Sequence, residues 1–302
     1  MPEARDERLE RLAQEYDELR PRMVRVAYAI LGARSEAEDV VADCWTRLAD
    51  ADAREPVRDV TGWLTVAVAR AATDVLRSAR VRREQYVGPW LPEPYVDTTS
   101  PDPADRVTLD ETVSYALLVL LESLSPAERA AFVLHDVFGM AFAEVATVVG
   151  RTPAAVRQLA ARARAHLAER APRFEVDRSA HDAVLGRFLA AAAGGDLAAL
   201  LATLDPDVVL TSDGGGVVSS ARRPVLGADR AARFLVGLVA KYVGGDVEID
   251  LVEVNGASAI GIREAGALTS LVVLTVVGEQ VARVDILRAP GKLAVANRPG
   301  PL

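Results

Sequence analysis

The sequence predicts a multidomain protein: two all-α domains, the second a helix-turn-helix, followed by an α+β domain. Three observations carry that prediction. Apolar residues recur at helical spacing from Asp6 to Arg83. Residues Phe142 to Leu167, FAEVATVVGRTPAAVRQLAARARAHL, are laid out as two short helices around a tight turn. Beyond Leu204 the pattern changes to short β-branched runs separated by Gly, Asn and Asp turns. A chain of 302 residues is also too long for one ordinary helical domain.

In the first domain, Pro21 and Pro56 are each expected in the first turn of a helix, where a missing N–H costs nothing. Ser35-Glu36-Ala37-Glu38 reads as a capping box opening a third helix. Pro56 to Arg83 is expected to form a long helix with Val60, Leu64, Val68, Ala72, Val75 and Leu76 inside, interrupted by little except Gly62. Gln85 to Val107 breaks the pattern with Pro89, Pro92, Pro94, Pro101 and Pro103 and with Asp97, Asp102 and Asp105. It reads as an extended linker with no helix of its own. Helices resume near Leu109, and Ser125-Pro126-Ala127-Glu128 is a second capping box.

The helix-turn-helix follows. Gly150 closes its first helix, Thr152 is the expected N-cap of the second, and Pro153 takes the first helical position. Val156, Leu159, Ala160, Ala163 and Leu167 form the inner stripe. The outer stripe is Ala154, Arg157, Gln158, Ala161 and Arg162: small residues that admit a groove, with side chains that read guanine and adenine edges. Arg151 and Thr152 at the helix start and Arg164 to one side complete the expected DNA-contacting set. The plain alternative is a helical hairpin with a solvated Arg face. Pro172 ends the domain.

In the last third, His181 to Leu204 reads as helix broken at Gly194-Gly195, with a second helix at Ala228–Tyr242. Strands are expected at Val208–Thr211, Val217–Ser219, Val247–Val254, Ser258–Ile262, Thr269–Val277 and Val281–Leu287, as an antiparallel meander wrapped on helices. The expected boundaries are therefore 1–84, 85–108 (linker), 109–173, 179–293 and 294–302 (tail).

Composition narrows the function. The formal net charge of −8 is wrong for a protein that grips DNA alone through phosphates. Yet Arg77 to Arg83 is basic, and Arg151 to Arg173 carries six Arg against the single acid Glu169. Basic patches in an acidic chain point to DNA binding within a larger assembly. A lone Cys44 makes no internal disulfide, and the three histidines lack metal spacing, so no metal and no cofactor is expected. A charged start and the lack of any long apolar run predict no membrane association and a cytoplasmic location.

The order of these parts resembles the extracytoplasmic-function (ECF) sigma factors, promoter-specificity subunits of bacterial RNA polymerase. The linker string Arg83-Glu84-Gln85-Tyr86-Val87-Gly88-Pro89-Trp90-Leu91-Pro92-Glu93-Pro94 is similar to the signature of a subgroup with a C-terminal SnoaL-like (NTF2-like) extension, a cone-shaped α+β domain. The resemblance implies core RNA polymerase and promoter DNA as partners. Glu38-Asp39-Val40-Val41, with Asp43, matches the segment that docks on the clamp helices of the largest polymerase subunit; the usual Gln of that segment is Ala42. The plain reading of these acids is complementation of a helix dipole. Trp63-Leu64 and Asp74-Val75-Leu76-Arg77 match the part that reads and melts the downstream promoter element, with Arg77, Arg80, Arg82 and Arg83 neutralising phosphates. Trp63 is equally compatible with a core position.

In the C-terminal domain Asp213-Gly214-Gly215-Gly216 matches the subgroup's glycine motif, with Val217 replacing its usual Lys. Pro290-Gly291-Lys292-Leu293 matches the closing motif, with Gly291 replacing its usual Asp. The resemblance makes this domain a regulator rather than an enzyme. The competing class, a SnoaL-like isomerase fused to a DNA-binding module, has only Asp213 and Glu264 as acid/base candidates. The linker string Tyr86–Pro94 carries Trp90 and Leu91, apolar and outside any helix, and is expected to dock on the C-terminal sheet, an intramolecular contact that would hold the two DNA-binding domains in a compact, inactive arrangement.

Overall fold

The computed structural model describes residues 2–97, 113–168, 177–241, 245–294 and 296–297. The chain divides into two compact units, one formed by residues 1–82 with 120–169, the other by residues 83–119 with 170–302. The linker residues therefore group with the C-terminal domain, not with the helical domains that flank them.

The helical unit begins with α1 (Pro2–Leu31) and α2 (Arg34–Arg54), joined at Gly32, whose φ of 68° lets its N–H close on Tyr28 O. Pro21 lies inside α1 rather than at a helix start. Its side is exposed, and buried Leu12, Tyr16, Met23 and Val26 on either side hold the helix continuous despite the lost hydrogen bond. Ser35 is not an N-cap: α2 starts a residue earlier, Ala33 offers no capping side chain, and Glu38 accepts from Arg34 Nε at 2.9 Å. α3 spans Val60–Glu84, starting four residues after the expected Pro56. Asp59 accepts the Gly62 N–H, and a Cβ at Gly62 would lie 2.3 Å from Asp59 Oδ2.

The division between the two units falls within α4 (Tyr115–Leu121), between Val119 and Leu120. The capping box at Ser125 opens α5 (Pro126–Phe132), with Glu128 N–H donating to Ser125 Oγ at 3.3 Å and Ser125 N–H to Glu128 Oε2 at 3.1 Å. A π-helical turn, Val133–Val137, leads to α6 (Phe142–Val149) and α7 (Pro153–Ala168). Gly150 caps α6 in the left-handed conformation and Thr152 Oγ1 accepts from Ala155 N–H. Leu109, the expected restart of the helices, lies outside the described residues, as do Asp102, Asp105, Pro101, Pro103, Pro172 and most of the 294–302 tail.

The second unit is a seven-stranded sheet in the order β1-β4-β5-β6-β7-β2-β3. The strands are β1 (Val96–Asp97), β2 (Leu204–Asp213), β3 (Val225–Leu226), β4 (Val247–Val254), β5 (Ala257–Glu264), β6 (Ala267–Val277) and β7 (Gln280–Leu287). Two expectations need correction. Val217–Ser219 is a turn, with Val217 exposed, because the glycines before it break the strand. The meander β4 to β7 is antiparallel, but β2 pairs with β7 in parallel. α8 (Arg178–Ala193), α9 (Leu197–Thr203) and α10 (Ala228–Val239) cover one face, burying Val184, Leu185, Phe188 and Leu200 against Leu210, Leu274 and Ile286. On the opposite face Leu271, Val273 and Leu287 meet Leu91, Val96, Tyr115 and Leu293 of the short helix α11 (Pro290–Leu293). Buried on both faces, β6 accordingly reads as the near-continuous apolar run SLVVLTVV.

Candidate functional site

The recognition helix α7 buries Val156, Ala160, Ala163 and Leu167, which leaves Ala154, Arg157, Gln158, Ala161 and Arg162 exposed along one stripe. Arg151 and Thr152 are exposed at its start. The three arginines of this helix differ in what holds them. Arg162 Nε lies 3.3 Å from Glu128 of the capping box, and Arg164 Nε donates to Asp136 at 2.7 Å. The Arg157 guanidinium lies 5.5 Å from the ring centre of Phe142.

Further along this unit, Asp74 and Arg77 are exposed and paired at 2.8 Å, and Trp63 is half-buried. The side chains of Arg80 and Arg82 lie outside those described. Arg70, which the sequence did not single out, donates through Nε and Nη2 to Thr147 O of α6 at 3.1 and 2.7 Å. On α2, Asp39 and Asp43 are exposed and Glu38 is half-buried beside Arg34. Val40 belongs to the core at 5% exposure, so it contributes packing and not a docking contact. It falls on the same stripe as Ala37, Val41, Cys44 and Leu48. Two buried charges tie this unit together. Asp52 takes a two-pronged contact from Arg8 and the Val57 N–H, and the Arg8 hydrogen bond holds its carboxyl below the usual range despite partial burial. Arg129, 1% exposed, donates to Glu122 at 2.6 Å and to Ala29 O at 3.3 Å.

In the second unit the structure brings the linker signature onto the glycine and closing motifs. Asp213, at the end of β2 and 1% exposed, accepts four hydrogen bonds. Tyr86 Oη and Gly215 N–H donate to Oδ1 at 2.6 and 2.9 Å; Leu91 N–H and Lys292 Nζ donate to Oδ2 at 3.0 and 2.7 Å. Lys292 also donates to Leu91 O. Burial, reinforced by the Asp213 hydrogen bond, pushes the Tyr86 phenol well above its ordinary value. Trp90 meets the Tyr86 ring edge-on at 4.9 Å, with Lys292 Nζ 3.2 Å and the Arg83 guanidinium 4.4 Å from its ring centre. Arg83, one of the expected phosphate contacts, is thus part of this seat. Gly215, at φ 69°, is in the left-handed region that favours glycine, and a Cβ there would press on Ala289 Cβ at 3.1 Å and stand 3.7 Å from Tyr86 Oη. A Cβ on Gly214 would meet Val218 O at 2.1 Å.

Two further anchors were not legible in the sequence. β1 adds the linker to the sheet edge, Val96 opposite Val254. Asn255, in the left-handed region at φ 48°, holds both Tyr95 and Val113: it exchanges backbone and side-chain hydrogen bonds with Tyr95 and donates Nδ2–H to Val113 O at 3.2 Å. Asn tolerates that φ better than most residues, the one sequence signal it gives. Of the acid/base candidates, Asp213 is consumed by its four donors, and Glu264 is exposed and accepts the Thr269 hydroxyl at 2.8 Å. The buried carboxyl that sequence reading missed is Asp285. Burial raises its pKa, and Arg283 grips it with two hydrogen bonds. Among the described residues no His/Cys/Asp/Glu group could hold a metal, and no helix is long and apolar enough to cross a membrane.

A helix-turn-helix in a helical unit, with an α+β unit seated on its linker, defines the class as a multidomain DNA-binding protein. Comparison with known sequences narrows it. The Sigma-70 region 2 profile matches residues 16–82 and the Sigma-70, region 4 profile residues 114–167. The chain is 44% identical over 235 residues to the ECF RNA polymerase sigma factor SigJ of Mycobacterium tuberculosis, covering 76% of this chain and 74% of that one. It is 38% identical over 285 residues to the probable ECF sigma factor SigI of the same species, covering 88% and 92%. The crystal structure of M. tuberculosis SigJ aligns with a TM-score of 0.75 at 36% identity over 93% of this chain and 98% of that one. The chain belongs to the ECF RNA polymerase sigma factors, which give promoter recognition and transcription initiation, and to its subgroup with a C-terminal SnoaL-like domain.

Proposed function

We propose that this sigma factor divides its task among the segments 1–84, 85–108, 109–173 and 179–293, with a tail from 294, working in the cytoplasm. Arg157 and Gln158 read base edges of the upstream promoter element from between small Ala154 and Ala161. Arg162 extends that base-reading stripe, and Arg151, Thr152 and Arg164 meet phosphates around it. Trp63, Asp74, Arg77, Arg80 and Arg82 serve the downstream element. The exposed acids Asp39 and Asp43, with Glu38, dock on the clamp helices of the largest polymerase subunit, where a basic partner surface would complement them.

The C-terminal domain regulates rather than catalyses. The observation that carries this reading is the closure of four donors on buried Asp213, two of them from the linker, Tyr86 and Leu91. A carboxylate so satisfied cannot act as an acid/base group without breaking the linker seat. We infer that the seat holds the linker away from polymerase until it opens. The test is transcription by core polymerase reconstituted with the full chain, or with a chain ending before Ser179, across a genomic promoter library. Removal of the domain is expected to change output strongly at unchanged promoter bases; equal output from both chains would reject the regulatory role.

A further inference from the structure

We infer that Phe142 and His135 are positioning residues for base reading by Arg157. This rests on the proposed role of Arg157. An arginine on an exposed helix face carries rotamer freedom that must be lost on binding a base, unless something holds it beforehand. Arg162 and Arg164 are held by carboxylates, which occupy guanidinium N–H donors. Arg157 is held differently, over the ring of Phe142 at 5.5 Å. A ring attracts the guanidinium charge without supplying a carboxylate acceptor, so the N–H fork stays available for the two acceptors of a guanine edge.

The ring is itself fixed. Phe142 opens α6 and is stacked on His135, with ring centres 3.7 Å apart and planes inclined by 29°. His135 lies in the π-helical turn, and its Nδ1–H donates to Met140 O at 2.8 Å. The turn is closed by Gly139, at φ 69°, whose N–H returns to His135 O. A π-turn is an irregularity that recurs at functional sites. Here it sets the imidazole that supports the ring that supports Arg157.

The experiment uses holoenzyme, core polymerase with the full chain, transcribing from templates randomised through the upstream element. Arg157→Ala should flatten preference at one position. Phe142→Leu, which removes the ring, should reduce preference at that same position by roughly two- to five-fold, the range an exposed cation–π contact spans. Phe142→Tyr, which keeps the ring, should restore it. If Phe142→Leu leaves that position unchanged while Arg157→Ala flattens it, the positioning role is wrong and base reading stands. A Phe142→Leu loss spread evenly over all positions, or one that Phe142→Tyr fails to rescue, would mark a merely structural residue. If Arg157→Ala flattens no position, base reading and the positioning role fall together.

Discussion

Single residues set the stability of both units, and two of them are open to direct test. Lys292 is the only cation hydrogen-bonded to Asp213 among the described residues, and Asp213 is 1% exposed. Lys292→Met leaves a buried carboxylate without its ion pair, a change that costs about 3–5 kcal/mol where geometry cannot relax. Thermal unfolding should show that loss, and the Leu91 amide, which donates to the same carboxylate, should exchange its hydrogen faster. Asp52 gives a pH signature. Its carboxyl is held below the usual range by Arg8, so the folded state binds a proton less readily than the unfolded chain. The stabilisation is present above about pH 4, the ordinary carboxylate value, and is lost as pH falls through the lower folded pKa. Asp52→Asn should flatten the stability–pH curve in that acid range; an unchanged slope would show that the Arg8 contact contributes nothing.

Elements differ in how far the sequence revealed them, and the difference is one of range. The turn of the helix-turn-helix and the Ser125 box were readable because every partner lies within a few residues. Ser125→Ala should cost about 1 kcal/mol, measured by denaturant unfolding. The same chemistry at Ser35 misled, because Gly32 ends α1 so close that α2 must begin at Arg34. Helical phase alone could have excluded Val40 from the docking set. The Asp213 cluster was visible only as separate motifs, since Tyr86 and Lys292 reach it from opposite directions along the chain. β1 could not be read at all: two residues in a proline-rich stretch have no periodicity.

At the scale of the whole molecule, the proposed roles assign acidic and basic surfaces to different tasks. Asp39→Arg should abolish co-purification with core polymerase at moderate salt while circular dichroism stays unchanged. Assembly that survives the reversal would leave Asp39 as a dipole complement only. Hydrogen exchange separately probes the seat. Residues 86–94 should be protected in the full chain and lose that protection when the chain ends before Ser179. Equal exchange in both chains would place the regulatory action of the domain elsewhere.

Asn255 grips Tyr95 on one side and Val113 on the other, so the chain between them starts and ends at the same point. The entropy cost of bringing two distant points of a chain together grows only logarithmically with their separation, by about 0.6 kcal/mol per doubling. The residue that joins the two points therefore matters more than the number of residues that separates them. Asn255→Ala should lower the melting temperature by several degrees, and the Tyr95 amide, which donates to Asn255 Oδ1, should exchange its hydrogen faster. Relatives can be expected to drift freely in the number of residues between these two points and hardly at all in the residue that joins them.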